Sequence, residues 1–166
     1  MADNAYANRR SIRLPGFDYS SQGAYFVTIV ANNRRCAFGE IVGEHLKTTK
    51  LGRMVEEEWL VTAQVRPGVE LEAFVLMPNH MHGILCLPSP RSTDGSGSLA
   101  TTVRGFKAAV TRRYRREASE PDAVVWQRNY YDIIRDDDDW NAIHAYIEDN
   151  PRHWAQDSEN PQHTRP

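Results

Sequence analysis

The stretch Val75-Leu76-Met77-Pro78-Asn79-His80-Met81-His82-Gly83-Ile84-Leu85-Cys86-Leu87-Pro88 decides how the chain is read. A short apolar run ends at Pro88, and a Pro78-Asn79 turn separates it from the similar run Val69 to Met77. Each run suits a buried strand, and a turn this tight joins them as an antiparallel hairpin. Side chains alternate along a strand, so His80 and His82 share one face while Met81, Leu85 and Leu87 take the other. Two neutral imidazoles side by side suit one divalent cation; they equally suit plain packing and hydrogen bonding, and spacing alone does not separate the two.

Outward from this hairpin the elements follow from local pattern. Ala24-Tyr25-Phe26-Val27-Thr28-Ile29-Val30 is aromatic and β-branched and predicts a strand. Asn32 to Arg35 read as a polar turn, and 37–42 as a second strand returning beside the first. From Thr48 to about Ala63 the period becomes helical, with Leu51, Met54, Val55, Trp59 and Leu60 on one side. Residues 88–98, rich in Ser, Gly and Pro, read as a linker. A second helix from Leu99 to about Glu117 buries Val103, Phe106, Val110 and Tyr114. Trp126 to Ile134 predicts a further strand. Asp136 to Asp139 then supply an N-cap and a negative first turn to a last helix that Pro151 stops.

This order predicts an α+β fold, one antiparallel sheet with helices packed on one face, in a single domain. The domain spans 1–154 with an N-terminal arm, and 155–166, polar and Pro-rich, reads as a flexible tail. A chain of 166 residues has room for one proper core. No run is long and apolar enough to span a membrane, and the N-terminus lacks an apolar signal core, so the expected location is cytoplasmic. Cys36 and Cys86 form no metal or redox spacing. Net charge is -2, but cations gather in 104–116 while acids gather in 56–58 and 136–139. A basic helix face on a near-neutral protein suits either solvent or phosphate.

On the last helix Trp140, Ile143 and Ile147 share the docking face, and Tyr146 and Asn150, four apart, lie on its shoulder. Each of the latter two, taken alone, is an ordinary packing or terminal residue. Taken with V-L-M-P-N-H-M-H, G-F-K at 105–107, W-Q-R-N-Y-Y at 126–131 and Y-I-E-D-N-P at 146–151, the pattern resembles the REP-associated tyrosine transposases. These lie within the HUH one-tyrosine single-strand transposase family, and the resemblance runs from about Arg10 to Trp154.

The resemblance implies a ferredoxin-like α+β fold and single-stranded DNA, usually a hairpin, as partner. It further implies metal-dependent nicking and rejoining of DNA. His80, His82 and Asn150 would hold Mg²⁺ or Mn²⁺, and Tyr146 would be the nucleophile that forms a 5′-phosphotyrosine link. No catalytic role extends to Tyr130 or Tyr131. Arg104, Lys107, Arg112 and Arg116 are the candidate contacts to the DNA backbone. Related enzymes work as a monomer or a homodimer, so both states are open. The rival readings are a catalytically silent, domesticated DNA-hairpin-binding protein and a metal-dependent hydrolase. Against the hydrolase, no Asp follows the pair as H-x-H-x-D, and the chain is too short for a barrel of ~250 residues.

Overall fold

The computed structural model describes residues 23–88, 98–134 and 140–162, with side chains described except at 129–134. The N-terminal arm, the linker and the acidic run Asp136 to Asp139 lie outside the described residues, as do the side chains of Tyr130 and Tyr131.

The central strand β1, Gly23–Ala31, is buried on both faces from Tyr25 onward. Its β-branched and aromatic residues serve a strand that packs on two sides. Helix α1, Lys50–Gln64, starts at Thr49, whose hydroxyl accepts from the Gly52 N–H. Helix α2, Leu99–Ala118, starts at Ser98, which accepts from Thr101 N–H in the same way. These caps satisfy backbone donors that a helix start leaves unpaired. Strands β4, Glu70–Leu76, and β5, His80–Leu87, form the hairpin expected around Pro78-Asn79. Strand β6, Trp126–Ile134, and helix α3, Trp140–Asp149, complete the core, and a 3-10 helix over Asn150–Gln156 follows.

The four long strands make one sheet in the order β4-β5-β1-β6, every neighbouring pair antiparallel. With α1 and α2 as crossovers this is the β-α-β-β-α-β arrangement of a ferredoxin-like α+β fold. Thr28 of β1 lies opposite His82 of β5. That register brings the even-numbered residues of both strands to one face.

The two faces have separate cores. Tyr25, Val27 and Ile29 of β1 and Met81, Leu85 and Leu87 of β5 pack with α1 and α2 through Trp59, Val103 and Phe106. On the other face Phe26 and Ile84 pack with Ile143 and Ile147 of α3. Helices on one face therefore describes α1 and α2; α3 takes the opposite face, the one that carries the histidines.

Three local expectations are corrected. The segment Gly39–Val42, β2, does not return beside β1 but pairs with β3, His45–Thr48, in a hairpin of its own. Both edges of β1 are taken by β5 and β6, and Gly43 at φ +65° turns the chain back on itself. Leu60 is exposed rather than buried, because the face of α1 against the sheet follows Leu51, Val55, Trp59 and Thr62. Residues 155–162, within the stretch expected to be a flexible tail, fold back onto the β1 and β5 ends.

Glycine at 83 is required by the helix layer. A Cβ there would sit 2.6 Å from Trp59 Cζ2, and Trp59 is fully buried. Gly83→Ala is expected to destabilise the fold by about 1–3 kcal/mol through overpacking. Thermal melts should show this as a lowered Tm, and a double-mutant cycle with Trp59→Phe should return a coupling between the two positions.

Candidate active site

The turn after β5's partner strand carries the residue that organises the site. Asn79 is fully buried, and its Nδ2 donates to Arg34 O at 3.0 Å and to Glu159 O at 2.7 Å. Two carbonyl acceptors fix which end of the amide is nitrogen, so the oxygen faces His80. His80 Nδ1 therefore donates to Asn79 Oδ1, at 2.9 Å, and its Nε2 carries the lone pair. That lone pair points at His82 Nε2, 3.1 Å away.

His82 is held on its other side by Thr28, with Oγ1 at 2.8 Å from Nδ1. A hydroxyl donates or accepts, so Thr28 supports either tautomer. With the proton on Nδ1, both Nε2 atoms present lone pairs to a common point; without a cation, one proton bridges the 3.1 Å gap. Phe26 stacks under His82 at 5.2 Å between ring centroids and meets the ring of Tyr146 edge-on. Burial holds both imidazoles in the neutral form: His80 lies well below the ordinary histidine range, with the neighbouring His82 and Arg34 adding to the effect, and His82 is lowered to about 4.

Tyr146 reaches this pair from α3. Its hydroxyl lies 3.3 Å from His82 Nε2, and the side chain stays 49% exposed, open to a cleft of about 520 Å³ lined also by Asp149, Asn150, His153 and Asp157. Burial of the phenol raises its pKa; a hydrogen bond with Asn150 opposes this, while the carboxylates of Asp157 and Glu159 add to it. The phenol is therefore protonated at neutral pH. Asn150 is itself buried, and its Oδ1 has no hydrogen-bond partner among the described residues. A buried, orphaned amide oxygen and two imidazole lone pairs are donor types that suit a divalent cation.

Asp157, just after the 3-10 helix, places Oδ2 3.6 Å from His80 Nε2. His80, His82 and Asp157 offer ligand atoms within 4.8 Å of one another. Of the residues singled out in the sequence, His80, His82 and Tyr146 stand together here and Asn150 hydrogen-bonds to Tyr146; Asn79, Thr28, Phe26 and Asp157 were not singled out. Thr28 and Phe26 depend on a register that only pairing reveals. Asn79 reads as a turn residue, and Asp157 sits in a segment without periodicity; its one local signal is the Asx turn that Asp157 Oδ1 makes with the Glu159 N–H.

The basic helix does not adjoin the histidines. α2 belongs to the opposite face of the sheet. There Arg104, Arg112 and Arg115, with Gln127 and Arg128 of β6, line a groove of about 730 Å³. Lys107 lies in its floor and donates to Gln127 O at 2.6 Å, and burial lowers its pKa to about 8. Its ammonium ties helix to strand rather than standing in solvent. Arg116 is not among the groove residues and pairs with Glu117 at 3.7 Å. Arg113 bridges to Glu57, Glu58 and Glu117 and joins α2 to α1.

The chain is 39% identical over 170 residues to an uncharacterised protein of Haemophilus influenzae, with 90% of this chain and 92% of that one aligned. Among solved structures it is similar to a REP-associated tyrosine transposase bound to a REP hairpin, at TM-score 0.59 and 23% identity, over 92% of this chain and 73% of that one. This likeness supports the fold. Residues 20–150 match the family described as "Transposase IS200 like", and the chain belongs to the IS200-like transposases.

Proposed function

We propose that this protein nicks and rejoins single-stranded DNA through Tyr146, with a divalent cation held by His80, His82 and Asn150. The observation that carries this reading is the approach of the Tyr146 hydroxyl, on α3, to within 3.3 Å of His82 Nε2, on β5. A half-exposed phenol against a buried imidazole pair is poorly explained by packing. It is what attack on a phosphodiester needs: a nucleophile open to a large substrate beside a site for the charge of phosphate.

The cation, Mg²⁺ or Mn²⁺, would offset charge on the phosphate oxygens and help set phosphorus in line. The protein's own residues do the rest. Asn79 and Thr28 orient the two imidazoles, and Phe26 supports His82 from below. Tyr146 Oη attacks phosphorus, the P–O3′ bond breaks, and the proton lost by the phenol is balanced by the one the 3′-oxygen gains. The 5′-phosphotyrosine link keeps the energy of the broken bond for rejoining. In this reading the named groups all belong to one chain, as a monomeric enzyme would hold them.

The REP-associated neighbour was solved with a REP hairpin, and a DNA hairpin is the partner we assign here. Arg104 and Arg112, with Arg115, are the backbone contacts the groove favours. Lys107 contributes charge from its floor, and Arg116 acts at most from outside the groove. A DNA strand that touches both this groove and Tyr146 must pass around an edge of the sheet.

Incubation with labelled hairpin oligonucleotides from the DNA flanking the gene, with Mn²⁺, should give a covalent protein–DNA band on denaturing gels. Tyr146→Phe should abolish it and His80→Ala should reduce it at least about 100-fold. Binding by the wild type without any adduct would favour the silent hairpin-binding protein. Arg104→Ala with Arg112→Ala should weaken hairpin binding and reduce the slope of log affinity against log salt by about 1–2. The neutral, buried histidines also predict acid sensitivity. The unfolded chain protonates His82 below pH 6.5 and the folded chain only near pH 4, so stability falls as pH drops across that window. Melts of the metal-free protein should lose roughly 5–10 °C there, and His82→Gln should flatten the loss.

A further inference from the structure

We propose that the carboxylate of Asp157 is a further protein ligand of the cation, beside His80, His82 and Asn150, so that the segment after α3 is part of the metal centre. This rests on the metal-dependent reading of the His80–His82 pair and goes beyond it in the ligand set, since Asp157 lies outside the Y-x-x-x-N-P segment on which that reading was built.

Asn79 fixes the proton of His80 on Nδ1, so the atom that Asp157 Oδ2 faces at 3.6 Å is a lone pair and not an N–H. A carboxylate oxygen and an imidazole lone pair that face each other are two donors to one cation, and with His82 their ligand atoms lie within 4.8 Å of one another. The second imidazole faces the same point, with its Nε2 3.1 Å from that of His80. Adjacent ligands at ordinary metal–ligand distances of ~2.0–2.3 Å stand roughly 2.8–3.7 Å apart, and both separations fall in that range.

The carboxylate is also built into place. Its Oδ1 accepts the Glu159 N–H at 2.7 Å, and its Oδ2 lies 3.6 Å from His80 Nε2. Asp157 O accepts the Asn160 N–H at 3.0 Å, and Asn160 Nδ2 donates to Trp154 O at 2.9 Å. Glu159 O takes a hydrogen bond from the same Asn79 amide that orients His80. One buried side chain thus sets two proposed ligands, the role that partners behind a metal site perform. Two imidazoles, the Asn150 amide oxygen and a carboxylate leave open positions on a six-coordinate ion for phosphate and water, and the added anionic oxygen favours Mn²⁺ or Mg²⁺ over a softer ion. Asp157 lines the same cleft as Tyr146, so a cation held there borders the nucleophile.

The test is Mn²⁺ binding to the full chain without DNA, by calorimetry, for wild type, His80→Ala, Asn150→Ala and Asp157→Ala, with melting of the metal-free proteins as a folding control. Asp157→Ala is expected to weaken Mn²⁺ by at least about tenfold and to lose the rise in Tm that Mn²⁺ gives the wild type. Asp157→Cys loaded with Co²⁺ should show a thiolate-to-cobalt charge-transfer band that wild type and Ser158→Cys lack, which reports ligation even if the alanine variant is unstable. Wild-type Mn²⁺ affinity in Asp157→Ala, or Co²⁺ binding to Asp157→Cys without the band, would overturn the assignment; with binding lost in His80→Ala, the two-histidine site would stand without Asp157. No Mn²⁺ binding by the wild type at millimolar concentration would overturn the metal reading and this assignment together.

Discussion

The amide of Asn79, buried where three parts of the chain meet, is the constraint on which the rest of the site depends. It donates to a carbonyl from the turn after β1 and to one from the segment after α3, and it accepts from His80 at the start of β5. A buried amide left unpaired is costly, so each partner holds the others in place. The turn after β1 bears a local strain: Asn33 and Arg34 both adopt positive φ, at 55° and 52°. That turn presents the Arg34 carbonyl to Asn79, and the Arg34 side chain pairs with Glu159 at 3.3 Å. Backbone geometry unfavourable by itself is kept because it closes this junction.

Alternation along two central strands divides the work of the protein between two faces. The odd-numbered residues of β1 and β5 meet α1 and α2 in a dense apolar core, and Gly83 lets the Trp59 ring approach the strand closely. The even-numbered ones, Phe26, Thr28, His80 and His82, meet α3 and the segment beyond it. The stability of the sheet is supplied largely by one face, which leaves the other able to carry buried polar groups. Strands pinned between two neighbours are also rigid supports, and a site on them holds its geometry better than one on loops.

Much of this was legible in the sequence because it depends on local period. The two-residue period of β5 placed both histidines on one face, and the helical period placed α1 and α2 to within two residues. Tyr146 was read on the shoulder of the α3 stripe and is half exposed there, whereas Asn150, read beside it, begins the 3-10 helix and is buried. What local period does not contain is pairing. The choice of β3 as the partner of β2, and of the histidine face as the seat of α3, depends on contacts far apart in sequence. Arg104, Lys107, Arg112 and Arg116 looked alike as cations, yet Lys107 donates to the β6 backbone, because its position on the helix turns it toward the strand. Asp157 was invisible for a different reason: a short polar segment with Pro and no period reads as a tail, and only the Asn79 and Arg34 contacts of its neighbour Glu159 show it to be anchored.

The most direct test of the central claim is to locate the covalent bond itself. Protein incubated with its flanking hairpin DNA and Mn²⁺ would be digested with nuclease and protease and its peptides mapped by mass spectrometry. The account predicts a 5′-phosphonucleotide on the peptide that contains Tyr146 and on no other. A nucleotide found on Tyr130, Tyr131 or any residue besides Tyr146 would contradict it, as would strand cleavage that leaves no nucleotide on the protein.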